Sequence, residues 1–135
     1  MSPIAFLVDT DWVIEHLRGR KTVTERLSQV KEHGLAISVI SLAERWEGVY
    51  YSRDPARSQA GLEEFLCGVA VLGLDEEICR RFGRLRGHLR EQGKLIADFD
   101  LLIAASALEH RLTLLTNNRR HFEKGRGLKI ETLPA

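Results

Sequence analysis

Apolar positions along the chain fall into runs of two lengths. Five short runs are Ile4–Val8, Leu35–Val39, Val69–Leu72, Leu112–Leu115 and a weaker Leu128–Glu131. Each is flanked by Gly, Asp or Asn, the pattern of short buried strands. The segments between them carry helical spacing. Trp12–Leu17 opens one helix, and Val23, Leu27 and Val30 mark a second at i, i+4 and i+7. Leu42–Tyr51 and Gly61–Leu66 suggest two more. Ile78, Phe82, Leu85 and Leu89 form an amphipathic stripe, and Leu101–Leu108 is almost wholly apolar, predicting a helix buried all round. Strands alternating with helices predict an α/β fold with a mostly parallel central sheet of four to five strands. Right-handed crossovers then place helices on both faces, a three-layer α/β/α arrangement. No repeat or linker interrupts the pattern, so residues 1–135 read as a single domain.

Composition narrows the class. With 135 residues, 44% hydrophobic and 29% charged, long disorder is excluded. A chain of this size buries roughly 70% of its unfolded surface, enough for a core without staples. The apolar runs fall far short of the about 20 residues a membrane helix needs. The opening residues lack a basic segment, and Asp9 interrupts the apolar run early, unlike a secretory signal. Cys67 and Cys79 cannot form a disulfide framework and have no metal-motif spacing, so both are expected reduced and buried in a cytoplasmic protein. A net charge of +1 requires any nucleic-acid contact to come from charge gathered on one face.

In parallel sheets, ligands bind beyond the carboxyl ends of the strands. Asp9 and Asp11 follow the first strand, and Glu44 lies five residues after the second. Asp98 and Asp100 precede the apolar helix, and Asn117 and Asn118 follow the fourth strand. Crowded carboxylates raise each other's pKa values, and a divalent cation relieves the repulsion. Oxygen donors favour Mg²⁺ or Mn²⁺, and the five histidines show no spacing for zinc. The alternative is structural. Asp11 and Asp98 suit helix caps, Asp100 suits a helix start, and Glu44 could pair with Arg45 or another arginine.

Three local patterns together resemble a PIN-domain ribonuclease, and more narrowly the VapC toxins of toxin–antitoxin pairs. The first is Leu7-Val8-Asp9-Thr10-Asp11-Trp12-Val13-Ile14. The second is Ile37-Ser38-Val39-Ile40-Ser41-Leu42-Ala43-Glu44 with Gly48 beyond it. The third runs from Gly93 through Asp98-Phe99-Asp100-Leu101-Leu102-Ile103-Ala104-Ala105 to Leu112-Thr113-Leu114-Leu115-Thr116-Asn117-Asn118 and Phe122. The resemblance spans about Ile4 to Leu133 and implies a PIN-like three-layer fold. It implies catalytic roles for Asp9, Glu44, Asp100 and Asn118, with Asp9 and Asp100 as metal ligands. Asp98, Thr10 and Thr116 become accessory residues. Asn118 falls where many PIN domains carry Asp, so it supplies an oxygen without a charge. The implied activity is Mg²⁺-dependent hydrolysis of RNA (Mn²⁺ also serving) by a metal-activated water. The implied partners are RNA, a VapB-type antitoxin and a second copy of the chain in a homodimer, with no membrane.

Fifteen of the twenty basic residues are arginine, a bias that suits phosphate and base recognition. Arg119, Arg120 and Lys124, just after Asn118, are the candidate RNA contacts. The cluster around Arg80, Arg81, Arg84, Arg86 and Arg90 reads as a solvated helix face with Glu76–Arg80 and Glu77–Arg81 pairs. Trp12, Trp46, Tyr50 and Tyr51 are candidates for base stacking, with Trp46 and one tyrosine expected in a core or dimer interface. Two rival readings stay open. Asp9-Thr10-Asp11-Trp12-Val13 is also similar to the opening of haloacid-dehalogenase-type phosphatases. There Asp9 would be the nucleophile, Asp11 the acid/base, Ser38 or Ser41 and Lys94 the further motifs, and Asp98 or Asp100 the Mg²⁺ holder. The other rival is a catalytically inactive PIN-like binding module.

Overall fold

The computed structural model describes residues 3–123 and 127–134. Five strands form one all-parallel sheet: β1 (Phe6–Val8), β2 (Leu35–Ser38), β3 (Ala70–Leu72), β4 (Thr113–Leu115) and β5 (Ile130–Glu131), in the order β3-β2-β1-β4-β5. Helices α1 (Thr10–Leu17) and α2 (Lys21–Lys31) link β1 to β2. Helices α3 (Val39–Tyr50) and α4 (Pro55–Leu66) link β2 to β3. Helices α5 (Glu76–Glu91) and α6 (Asp98–Glu109) link β3 to β4, and the four-residue α7 (Arg119–Phe122) precedes β5.

The period-two alternation of each strand divides the core between the sheet's faces. Val8, Leu35, Ile37 and Leu115 point to one side with Trp12 and Val13 of α1, Val23, Leu27 and Val30 of α2, and Phe65 of α4. Leu7, Ala36 and Leu114 point to the other with Ile103, Ala104 and Ala107 of α6 and Phe122 of α7. Because side chains pack both faces, these strands read as unbroken apolar runs rather than alternating ones. Gly34 turns the chain into β2 with φ +90°, and a Cβ there would stand 2.3 Å from the Pro3 carbonyl oxygen. Only glycine allows that approach.

Several expectations change. α3 begins at Val39, not Leu42, because Ser38 caps it by accepting from the Ile40 N–H. α6 takes in Asp98 and Asp100, whose charges meet the unpaired N–H groups of its first turn, and its cap position is Ala97. Cys67 and Cys79 are free as expected but exposed rather than buried. Cys67 sits at the end of α4, and Cys79 on the outer side of α5. Glu76 does pair with Arg80, at 3.6 Å. Arg81 instead reaches across to Glu109 of α6 at 2.7 Å, because the two helices pack together. Trp12 is fully buried and so cannot stack on a base. Tyr50 and Tyr51 are 67% and 87% exposed, outside the core, and half-buried Trp46 stacks on Tyr50 with centroids 5.7 Å apart. Among the described residues, no helix is long and apolar enough to cross a membrane.

Candidate active site

The strand order places a switch point between β1 and β4. From β1 the chain steps to β2 and β3 on one side, then crosses to β4 and β5 on the other. Crossovers diverge there and leave a crevice at the carboxyl ends of the strands. Asp9 follows β1 and Thr116 follows β4, so both stand at that crevice.

Asp9 is 5% exposed. Its Oδ1 accepts from the Thr10 N–H at 2.8 Å and its Oδ2 from the Thr116 hydroxyl at 2.7 Å. Burial raises its pKa from 3.8 to about 7, and the charges of Asp11 and Asp100 add to the rise. The hydrogen bonds from Thr116 and Thr10 act the other way without cancelling it. Thr10 then links α1 to α3, donating its hydroxyl to Glu44 Oε1 at 2.9 Å. Glu44 is thus half-buried and tied to the site rather than to Arg45. Arg45 lays its guanidinium over Gly48, where a Cβ would stand 2.6 Å from Nη2.

Asp100 lies in the first turn of α6, and its Oδ2 is 3.1 Å from His121 Nδ1. Asn118 donates its backbone N–H to the Thr116 hydroxyl at 3.0 Å, and its side-chain amide lies 2.8 Å from the same Nδ1. Asp9, Thr10, Glu44, Asp100, Thr116 and Asn118 therefore form one connected group. Asp98 stands apart, exposed and paired with Arg86 of α5. Arg119 and Arg120 are exposed on α7 beside Asn118. Lys124, the third candidate RNA contact, lies outside the described residues.

Sequence reasoning missed His121 altogether. It placed Asp11 among the oxygen-bearing groups at the strand ends, with a helix cap or a phosphatase acid as alternatives, but gave it no role in the resemblance to the family. Asp11 Oδ2 accepts from the Asn117 N–H at 2.9 Å, and burial raises its pKa. It thereby fastens the start of α1 to the end of β4. Asn117 completes the clasp, its Oδ1 accepting from Trp12 Nε1 at 3.1 Å and the Leu133 N–H at 2.8 Å. Asp11 carried a usable signal, two positions beyond Asp9 in the first turn of α1. His121 carried one only as the residue one helical turn past Asn118.

The fit to a divalent cation rests on the donor set. Asp9 is a buried carboxylate whose negative charge is opposed by two others, and a cation would remove that cost. Among the described residues, no three His, Cys, Asp or Glu side chains already form a metal cage. Asp9 is instead held by the Thr116 hydroxyl and Glu44 by the Thr10 hydroxyl, and Asp100 lies against His121 Nδ1. A cavity of about 470 Å³ elsewhere, lined by Leu17, Arg45, Val49 and Gly61 among others, includes none of these carboxylates. The phosphatase alternative loses its parts. Ser38 and Ser41 are fully buried, Ser38 as the α3 cap, and Lys94 is exposed after α5.

The PIN domain family model matches residues 6–127. The ribonuclease VapC2 of Haemophilus influenzae (strain Rd) is 33% identical over 130 residues, covering 95% of this chain and 97% of that protein. The tRNA(fMet)-specific endonuclease VapC of Shigella flexneri is 30% identical over 128 residues, with the same two coverages. In three dimensions the fold matches VapBC2 of Rickettsia felis, solved on a promoter DNA fragment, with TM-score 0.91 and 27% identity over 97% of this chain and 100% of that one. It also matches DNA-bound VapBC of Salmonella typhimurium, with TM-score 0.89 and 30% identity over 96% and 98%. With its strand order, its acidic crevice and these relatives agreeing, the chain belongs to the PIN domain family and, within it, to the VapC ribonucleases.

Proposed function

We propose that residues 1–135 act as a single PIN domain, the cytoplasmic endoribonuclease toxin of a toxin–antitoxin pair. The observation that carries this is Asp9, a buried carboxylate pushed up to about 7 at the switch point of the sheet, in a chain related to VapC ribonucleases throughout its length. PIN nucleases depend on divalent metal, and the oxygen donors here suit Mg²⁺ or Mn²⁺. When bound, the cation offsets charge on the scissile phosphate and acidifies a water.

Asp9 and Asp100 hold the cation. Glu44, its Oε1 fixed by Thr10, is the base that would take up the proton of the attacking water. Thr116 keeps Asp9 in one orientation, and Asn118 supplies a neutral oxygen to the cation, its water or the substrate. Asp98 is accessory: its pairing with Arg86 steadies the approach to α6. Arg119, Arg120 and Lys124 contact RNA phosphates. The partners are RNA, a VapB-type antitoxin that covers the acidic crevice, and a second copy of the chain. Structural neighbours solved as VapBC complexes support the antitoxin.

The test is cleavage of total RNA, and of transfer RNA first because one relative is named for it. Purified chain with Mn²⁺ is expected to give discrete fragments, and chelator to stop it. Asp9→Asn and Asp100→Asn are expected to abolish the fragments, and Glu44→Gln to slow them about a hundredfold or more. Equal cleavage by all forms would mean a contaminant or another site. An inert chain that still captures its antitoxin would favour the inactive binding module.

A further inference from the structure

One group at the acidic edge has no part in the chemistry above. His121 reaches Asp100 across 21 positions of sequence and Asn118 across one helical turn. Packing does not account for it. The His121 side chain is 55% exposed, whereas its neighbour Phe122 is fully buried and anchors α7. The ring is an exposed group held between two residues of the site by a single nitrogen.

The two contacts compete for that nitrogen. An unprotonated Nδ1 can accept from the Asn118 amide N–H, but its lone pair then faces an oxygen of the Asp100 carboxylate. A protonated Nδ1 donates to Asp100, and Asn118 must turn its carbonyl oxygen toward the ring, an exchange of two atoms of nearly equal size. A positive centre between the three groups lets Nδ1, Asp100 Oδ2 and Asn118 Oδ1 all direct lone pairs at one point. The spacing suits such a centre. Adjacent donors on an octahedral ion with bonds of about 2.1 Å stand about 3.0 Å apart, and here Nδ1 lies 3.1 Å from Asp100 Oδ2 and 2.8 Å from the Asn118 amide.

We propose that His121 is a nitrogen donor to the cation of this site, beside Asp100 and Asn118, and that it makes the chain select Mn²⁺ over Mg²⁺. The proposal rests on the nuclease reading and deepens it. Mg²⁺ takes oxygen donors, whereas an imidazole nitrogen raises affinity for first-row transition ions. Asp9 and Asp100 alone would discriminate far less.

The test is Mn²⁺ bound to the purified full chain, followed by electron paramagnetic resonance. Loss of the free-ion signal gives the affinity, competition with Mg²⁺ gives the selectivity, and pulsed spectra report a directly bound nitrogen. Wild type is expected to show the nitrogen coupling. His121→Ala and His121→Gln are expected to lose it, with Mn²⁺ affinity and the Mn²⁺/Mg²⁺ ratio falling roughly tenfold. His88→Ala, on the exposed end of α5, is the folding and histidine control and should match wild type. If Mn²⁺ binds wild type and weakens in Asp9→Asn but shows no nitrogen coupling, the His121 proposal fails and the cation site stands. If His121→Gln keeps the selectivity, the residue only positions Asp100 and the proposal also fails. No Mn²⁺ binding by wild type would overturn both readings.

Discussion

The Asp9 carboxyl, buried beside Asp11 and Asp100, titrates near 7 because its charged form has lost water and gained negative neighbours. A carboxyl whose folded pKa lies above its unfolded value favours folding fully only below that lower value, and the benefit is lost as pH rises through about 7. Ionising Asp9 therefore costs the cation-free chain roughly 4 kcal/mol at full charge. In chelator, wild type is expected to melt at a lower temperature at about pH 8 than at about pH 5.5. Asp9→Asn should remove most of that difference. Added Mn²⁺ should restore wild type and not the variant, and melting curves across this range check it. Asp9, Glu44 and Asp100 were legible because each stands at a fixed place relative to a strand or an apolar helix. The clasp Asp11 makes with Asn117 and the place of His121 were not, because they lie in contacts 106 and 21 residues away in sequence.

Among the elements, α7 depends most on its surroundings. Four residues make too few internal hydrogen bonds to hold a helix in water. Phe122, fully buried against β4 and α6, holds it in place. Phe122→Ala is expected to cost about 3–5 kcal/mol in urea unfolding. It should also reduce RNA cleavage in the fraction that remains folded, because His121 and Asn118 lose their support. Arg81→Ala, which breaks the half-exposed pair between α5 and α6, is expected to cost about 1 kcal/mol or less. The longer helices were legible from their periodicity. α7 was not, because its pattern is a single aromatic residue after a basic pair, and only packing makes it a helix. The exposure of Cys67 and Cys79 was illegible for a similar reason: residue type suggests burial, but their positions at a helix end and on an outer face decide it.

For the molecule as a whole, a net charge of +1 leaves RNA attraction to local arrangement. Arg119 and Arg120 are exposed on α7 beside the acidic crevice, and in the proposed function they contact the substrate backbone. Arg119→Ala and Arg120→Ala are each expected to weaken RNA binding without abolishing cleavage at saturating RNA. Each should also lower the salt dependence by about one counterion, measured by binding titrations at several ionic strengths. Sequence alone determined the α/β class, a mostly parallel sheet of four to five strands, and the acidic residues at the strand ends. Those depend on local periodicity and on residues that close each strand. Tertiary structure decided which of those acids meet. Asp9 gains its shifted pKa, Glu44 its Thr10 partner and His121 its place between Asp100 and Asn118 only when α1, α3, α6 and α7 dock around the switch point. Burial and distance across the sheet are properties of the folded chain, and no local pattern contains them.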